Sequence, residues 1–178
     1  MKFLLPILTM MCLASYGQQS ECVESWSKFD LFKTPVDYRF KVFNNSPITT
    51  AQAELTLDFI PNEQTKYDLL ISGIRLYLTN WSDSTIRQKL SYMDLVLVCQ
   101  VQNGNGSWLN IENPIPESFC SNGIEYFDLT LNKGDYLKLK APCYKGPTKV
   151  TMRYQLTLKD IKVYSNEVQG YINPEQLE

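Results

Sequence analysis

Alternation of apolar and polar residues governs this chain. Val150, Met152, Tyr154, Leu156 and Leu158 share one phase near the C-terminus, and Thr151, Arg153, Gln155, Thr157 and Lys159 share the other. A repeat of two sends successive side chains to opposite faces, so such a run is a strand with one face on a core and one in water. Val36–Val42, Ala51–Phe59 and Ile74–Leu78 alternate in the same way. Leu95–Cys99 (Leu-Val-Leu-Val-Cys) is apolar on both phases and reads as a central strand covered on both sides.

The turns fit the same picture. Asn103-Gly104-Asn105-Gly106 lies between two apolar runs and is a hairpin signature, as is Asn132-Lys133-Gly134-Asp135. Lys159-Asp160 shifts the phase ahead of Ile161 and Val163, which places a bulge or turn there. Ser72-Gly73, between Tyr67–Ile71 and Ile74–Leu78, suggests a bulge at the glycine. Ser82-Asp83-Ser84 is positioned to cap a short helix running to Leu90, with a polar loop as the other reading. Residues 166–178 are polar and are expected to fray. The fold class expected is all-β: an antiparallel sandwich or flattened barrel of about eight strands, with at most one short helix. No linker or repeat divides residues 18–165, which read as one domain.

Residues 1–17 are read as a secretory signal peptide. Lys2 precedes a nearly unbroken apolar run from Phe3 to Leu13, and Ser15 and Gly17 are small residues placed for cleavage before Gln18. That run is too short to span a bilayer, which needs roughly 20 residues. Loss of the segment leaves 16 basic against 19 acidic residues. Scattered cations on an acidic chain argue against nucleic acid as a partner.

An exported chain is expected to form disulfides. Cys12 leaves with the signal, and Cys22, Cys99, Cys120 and Cys143 remain. Four cysteines allow three pairings. Cys99–Cys120 with Cys22–Cys143 is preferred, since the first closes a short loop around an apparent hairpin. Sequons place N-glycans at Asn44, Asn80 and Asn105.

Chemistry is constrained by the absence of histidine. Imidazole bases, histidine-dependent dyads and histidine metal ligands are all closed. No phosphate-binding loop, dinucleotide fingerprint or nucleophile elbow is present, and neither a metal nor a cofactor is expected. A pair of carboxylates would still suffice for a glycan-active enzyme, but no spacing among the 19 acids selects one. Trp26, Phe29 and Trp108 are the candidate recognition aromatics, with end-plugs of a sandwich as the plainer role for the first two. The reading is thus a secreted, glycosylated binding protein that recognises a protein or glycan at the extracellular surface. Carriage of a lipid or other apolar small molecule between the sheets is the alternative, and carboxylate-dependent glycan chemistry the second.

Overall fold

The computed structural model describes residues 22, 41–48, 54–66, 72–91, 94–112 and 126–177. Eleven strands account for most of them: β1 (Val42–Phe43), β2 (Leu55–Lys66), β3 (Ser72–Asn80), β4 (Ile86–Ser91), β5 (Leu95–Gln102), β6 (Trp108–Asn110), β7 (Tyr126–Leu131), β8 (Tyr136–Pro142), β9 (Thr148–Leu158), β10 (Ile161–Tyr164) and β11 (Val168–Ile172). A short 3₁₀ turn covers Pro174–Leu177. The chain is an all-β sandwich. One sheet has the order β1-β8-β3-β2, the other β10-β9-β5-β6 with β11 also on β9, and β4 and β7 form a two-stranded ribbon. Every strand-to-strand ladder is antiparallel.

The alternation places the core. Leu76 and Leu78 of β3, Leu137 and Leu139 of β8, and Leu57 of β2 point inward from the first sheet. Cys99 and Val101 of β5 and Met152, Tyr154, Leu156 and Leu158 of β9 point inward from the second. The ribbon adds Leu90, Leu129 and Leu131 to the same cluster. Each fully buried leucine contributes about 1.5–3 kcal/mol over leaving it in water, so this cluster is the main source of stability.

The sheets meet along β2 and the β10–β11 line. Tyr164 pairs with Gln155 and Val168 with Met152, so one extra residue is looped out of the outer strand. At that bulge Ser165 bridges to Leu57 of β2, and Asn166 closes the corner with its side chain. The Asn166 carboxamide accepts the N–H of Phe59 (2.8 Å) and donates to the Phe59 carbonyl (3.3 Å). The result is a half-barrel at one side of the sandwich.

Both hairpins form where expected. Asn103 N–H donates to the Ser107 carbonyl at 2.9 Å, and Asp135 N–H donates to the Asn132 carbonyl at 3.0 Å. Gly106 and Gly134 adopt φ of 80° and 79°, where a side chain is strained. The turn at Lys159-Asp160 joins β9 to β10.

Three expectations are corrected. Residues 86–91 are strand β4, not the end of a helix. Ile86 and Leu90, four apart, fit one helical turn or one strand face equally, and the ladder with β7 decides for the strand. Residues 168–172 are strand β11 with Ile172 fully buried, so that part of the polar tail does not fray. Alternation hid it, because Gln169 and Tyr171 on the wet face dilute the apolar count. Gly73 pairs in register with Thr65 and Pro142; the irregularity sits opposite, between Phe59 and Gln64 of β2. That stretch contains Pro61, which has no N–H to give a ladder. The expected signal segment, Trp26, Phe29, Cys120, strand residues 36–40 and Tyr67–Ile71 lie outside the described residues.

Candidate functional site

The outward face of the β10-β9-β5-β6 sheet gathers the groups best suited to recognition. Strand β9 turns Lys149, Thr151, Arg153, Gln155 and Thr157 away from the core. Register then sets their neighbours. Gln100 lies opposite Arg153, Gln102 opposite Trp108, Lys162 opposite Thr157 and Tyr164 opposite Gln155. The β5–β6 turn that delivers Trp108 is ordered by Asn103, whose Oδ1 accepts the N–H groups of Asn105 (3.0 Å) and Ser107 (2.9 Å).

Arg153 is the centre of this face. Its guanidinium carbon lies 4.0 Å from the Trp108 ring centroid and 4.2 Å from that of Tyr164. Both contacts are cation–π, each worth about 0.5–1 kcal/mol at an exposed site. Arg153 Nε donates to Gln100 Oε1 at 3.0 Å. Gln100 Nε2 donates in turn to Asn110 Oδ1 (2.9 Å) and Gln155 Oε1 (3.2 Å), and Gln155 Nε2 donates to Thr157 Oγ1 (3.2 Å). The guanidinium is therefore held in place, yet no carboxylate pairs with it among the described residues. Tyr164 is 43% exposed and Tyr171, further along the same face, 52%. The described strand residues of this face include Lys149, Arg153 and Lys162 but no aspartate or glutamate.

A second polar cluster lies inside. Glu112, just beyond β6, is buried. Its Oε2 accepts the N–H of Cys99 at 2.9 Å, and its Oε1 is hydrogen-bonded by the Tyr144 hydroxyl. Burial pushes the Glu112 carboxyl up to about 8, against the smaller opposing effect of the Cys99 amide. Cys99 is fully buried, and burial, with Glu112 nearby, holds its thiol well above the usual range. Such a thiol is a poor nucleophile. This cluster ties β5 to the segment after β6.

The disulfides divide. Cys22–Cys143 is formed, as preferred. Cys99 carries no bridge and points into the core beside Tyr154, so the expected Cys99–Cys120 bond is corrected at its described end. Among the described residues no group of three acidic or cysteine side chains gathers to hold a metal.

The sequons divide too. Asn44 and Asn105 are exposed in turns. Asn80 is 0% exposed, and its Nδ2 donates to the carbonyls of Ser84 and Leu131, both at 2.9 Å. Its Oδ1 accepts from Ser82 N–H (3.0 Å) and Ser82 Oγ (2.8 Å). Asn80 thus pins the corner where the β3–β8 ladder gives way to the β4–β7 ribbon. A sugar on Nδ2 would remove a buried donor and has no room, so the expectation for Asn80 is corrected. Expressed in a eukaryotic secretory cell, the chain will carry at most two N-glycans. Peptide mass spectrometry after enzymatic deglycosylation will mark Asn44 and Asn105; a mark at Asn80 in folded protein would contradict this. Asn80→Ala will cost about 1–3 kcal/mol by orphaning the buried Leu131 carbonyl and freeing the Ser84 corner.

Trp108 is the one candidate aromatic that the described residues include, and it sits at the proposed face. Arg153, Gln100 and Tyr164 were not singled out from the sequence; their alternation places them outward, but only cross-strand register brings them together. No family model matches the chain, and neither curated proteins nor solved structures give a match to it.

Proposed function

We propose that this chain is an exported, disulfide-bonded recognition protein that works by binding, and that it binds through the outer face of the five-stranded sheet. The observation that carries the reading is Arg153, in contact with the rings of both Trp108 and Tyr164 on a face whose described strand residues include no carboxylate. Tryptophan, tyrosine and arginine are the residues that dominate binding hot spots. A hydrogen-bonded scaffold of Gln100, Asn110 and Gln155 fixes the arginine beforehand, which lowers the entropy lost on binding. The Cys22–Cys143 bridge accords with an oxidising destination. No helix among the described residues is long and apolar enough to cross a membrane. The space between the sheets is occupied by the leucine cluster, which favours surface recognition over carriage of an apolar ligand.

The test is binding of labelled protein to intact cells and extracellular matrix. The double variant W108A/Y164A will lose at least tenfold in affinity, while Y126A, on the β4–β7 ribbon, will bind as the parent does. Equal binding by W108A/Y164A would refute the reading, as would a stoichiometric lipid recovered from the purified protein.

A further inference from the structure

We propose that the partner recognised at this face is a linear glycan bearing repeated carboxylates, a polyuronate, with Arg153 as the anchor of one carboxylate. The inference rests on the recognition reading above and names its ligand. It starts from the guanidinium. The Arg153 guanidinium carbon lies 4.0 Å and 4.2 Å from two aromatic ring centroids and Nε is committed to Gln100, so the two terminal nitrogens remain for a ligand. Among the described residues they have no hydrogen-bond or ion-pair partner. A guanidinium edge presents parallel N–H groups that match a carboxylate two-to-two.

The other cations extend this along the sheet. Lys149 and Arg153 are four residues apart on β9, about 13 Å at the rise of a strand. Lys162 lies opposite Thr157, four residues beyond Arg153, so it stands about 13 Å further on. Positive charge therefore recurs along one axis, with Gln169, Thr151, Gln155 and Tyr171 between or beside the cations as hydroxyl-binding groups. A terminal acidic sugar would use one of these charges; a chain of uronates uses all three. Size points the same way. The face measures about 27 Å along β9 from Lys149 to Thr157 and about 15 Å across three strand spacings, on the order of 400 Å². A stable pair of globular proteins needs about 800 Å² from each partner. An extended oligosaccharide fits within the smaller patch.

The probe is a hyaluronan decasaccharide, titrated against the full exported chain and followed by calorimetry. The parent will bind it, and R153Q will weaken binding at least tenfold while lowering the thermal midpoint by only about 2–8 °C, the loss of its ring contacts. R153K will fall between them, since it keeps charge but loses the fork. A carboxyl-reduced decasaccharide will bind at least tenfold more weakly than the native one. Equal affinity for the native and reduced sugars would overturn the proposal, as would absent binding, or tighter binding of a polyglutamate peptide of matched charge. If the sugar fails while W108A/Y164A still abolishes cell-surface binding, the polyuronate is wrong and the recognition face stands. If neither responds, both fall.

Discussion

Replacing Cys22 and Cys143 together with serine lowers the thermal midpoint by about 10–20 °C in non-reducing buffer. The bridge joins residues 121 apart, so its loss frees a long stretch of the unfolded chain. Chain entropy for a loop of that size is about 4–5 kcal/mol, a large share of the roughly 5–15 kcal/mol that holds a domain together. The bridge also clamps the end of β8, where the Cys143 N–H donates to the Ser72 carbonyl at 3.2 Å. Tyr144, the next residue, reaches Glu112 in the core. Differential scanning calorimetry of parent and double variant reads the effect. A midpoint shift under 3 °C would show that the bridge does not stabilise the fold.

Glu112 gives the second large effect, through pH. Its folded carboxyl titrates at about 8, against an ordinary value of 4.5. Between those values the folded chain keeps a proton that the unfolded chain has released. Stability therefore falls as pH rises through this window, by up to about 1.4 kcal/mol per pH unit and on the order of 5 kcal/mol in all. Below about pH 4.5 both states are protonated and the penalty is absent. Asp58 is also shifted upward by burial, against its bond to Thr56, and shares the sign. Comparison with Glu112→Gln isolates the Glu112 contribution. Urea midpoints from pH 4 to pH 9 will decline more steeply in the parent than in Glu112→Gln. Parallel profiles would contradict the buried-acid account.

Much of the fold was legible because its strands are half wet. The run from Val150 to Leu158 declares both phases, and it became β9, at the centre of the five-stranded sheet. Asn-Gly punctuation located both hairpins. Where alternation is ambiguous, local sequence does not decide the element. Ile86 and Leu90 suit either period, and only the β7 partner, 40 residues downstream, makes them strand. Asn80 reads as a surface sequon, since nothing local shows that its carboxamide is consumed by Ser84 and Leu131. The candidate face shows the same divide. Trp108 was visible as an aromatic after a tight turn, whereas Arg153 joins it across β5, a relation set by pairing register.

The acidic chain and its basic face are compatible because the sandwich sorts charge by strand phase. Lys149, Arg153 and Lys162 collect on one outer surface, while Asp83 and Asp128 belong to the ribbon and its approach. Binding at such a face weakens with salt.

The most direct measurement of the recognition face is hydroxyl-radical footprinting of the exported chain, free and bound to cell-surface material. Trp108, Tyr164 and Tyr171 will be protected at least threefold on binding. Tyr126, 55% exposed on the ribbon, will oxidise at the same rate in both states. Protection at Tyr126 with none at Trp108, Tyr164 and Tyr171 would contradict the account.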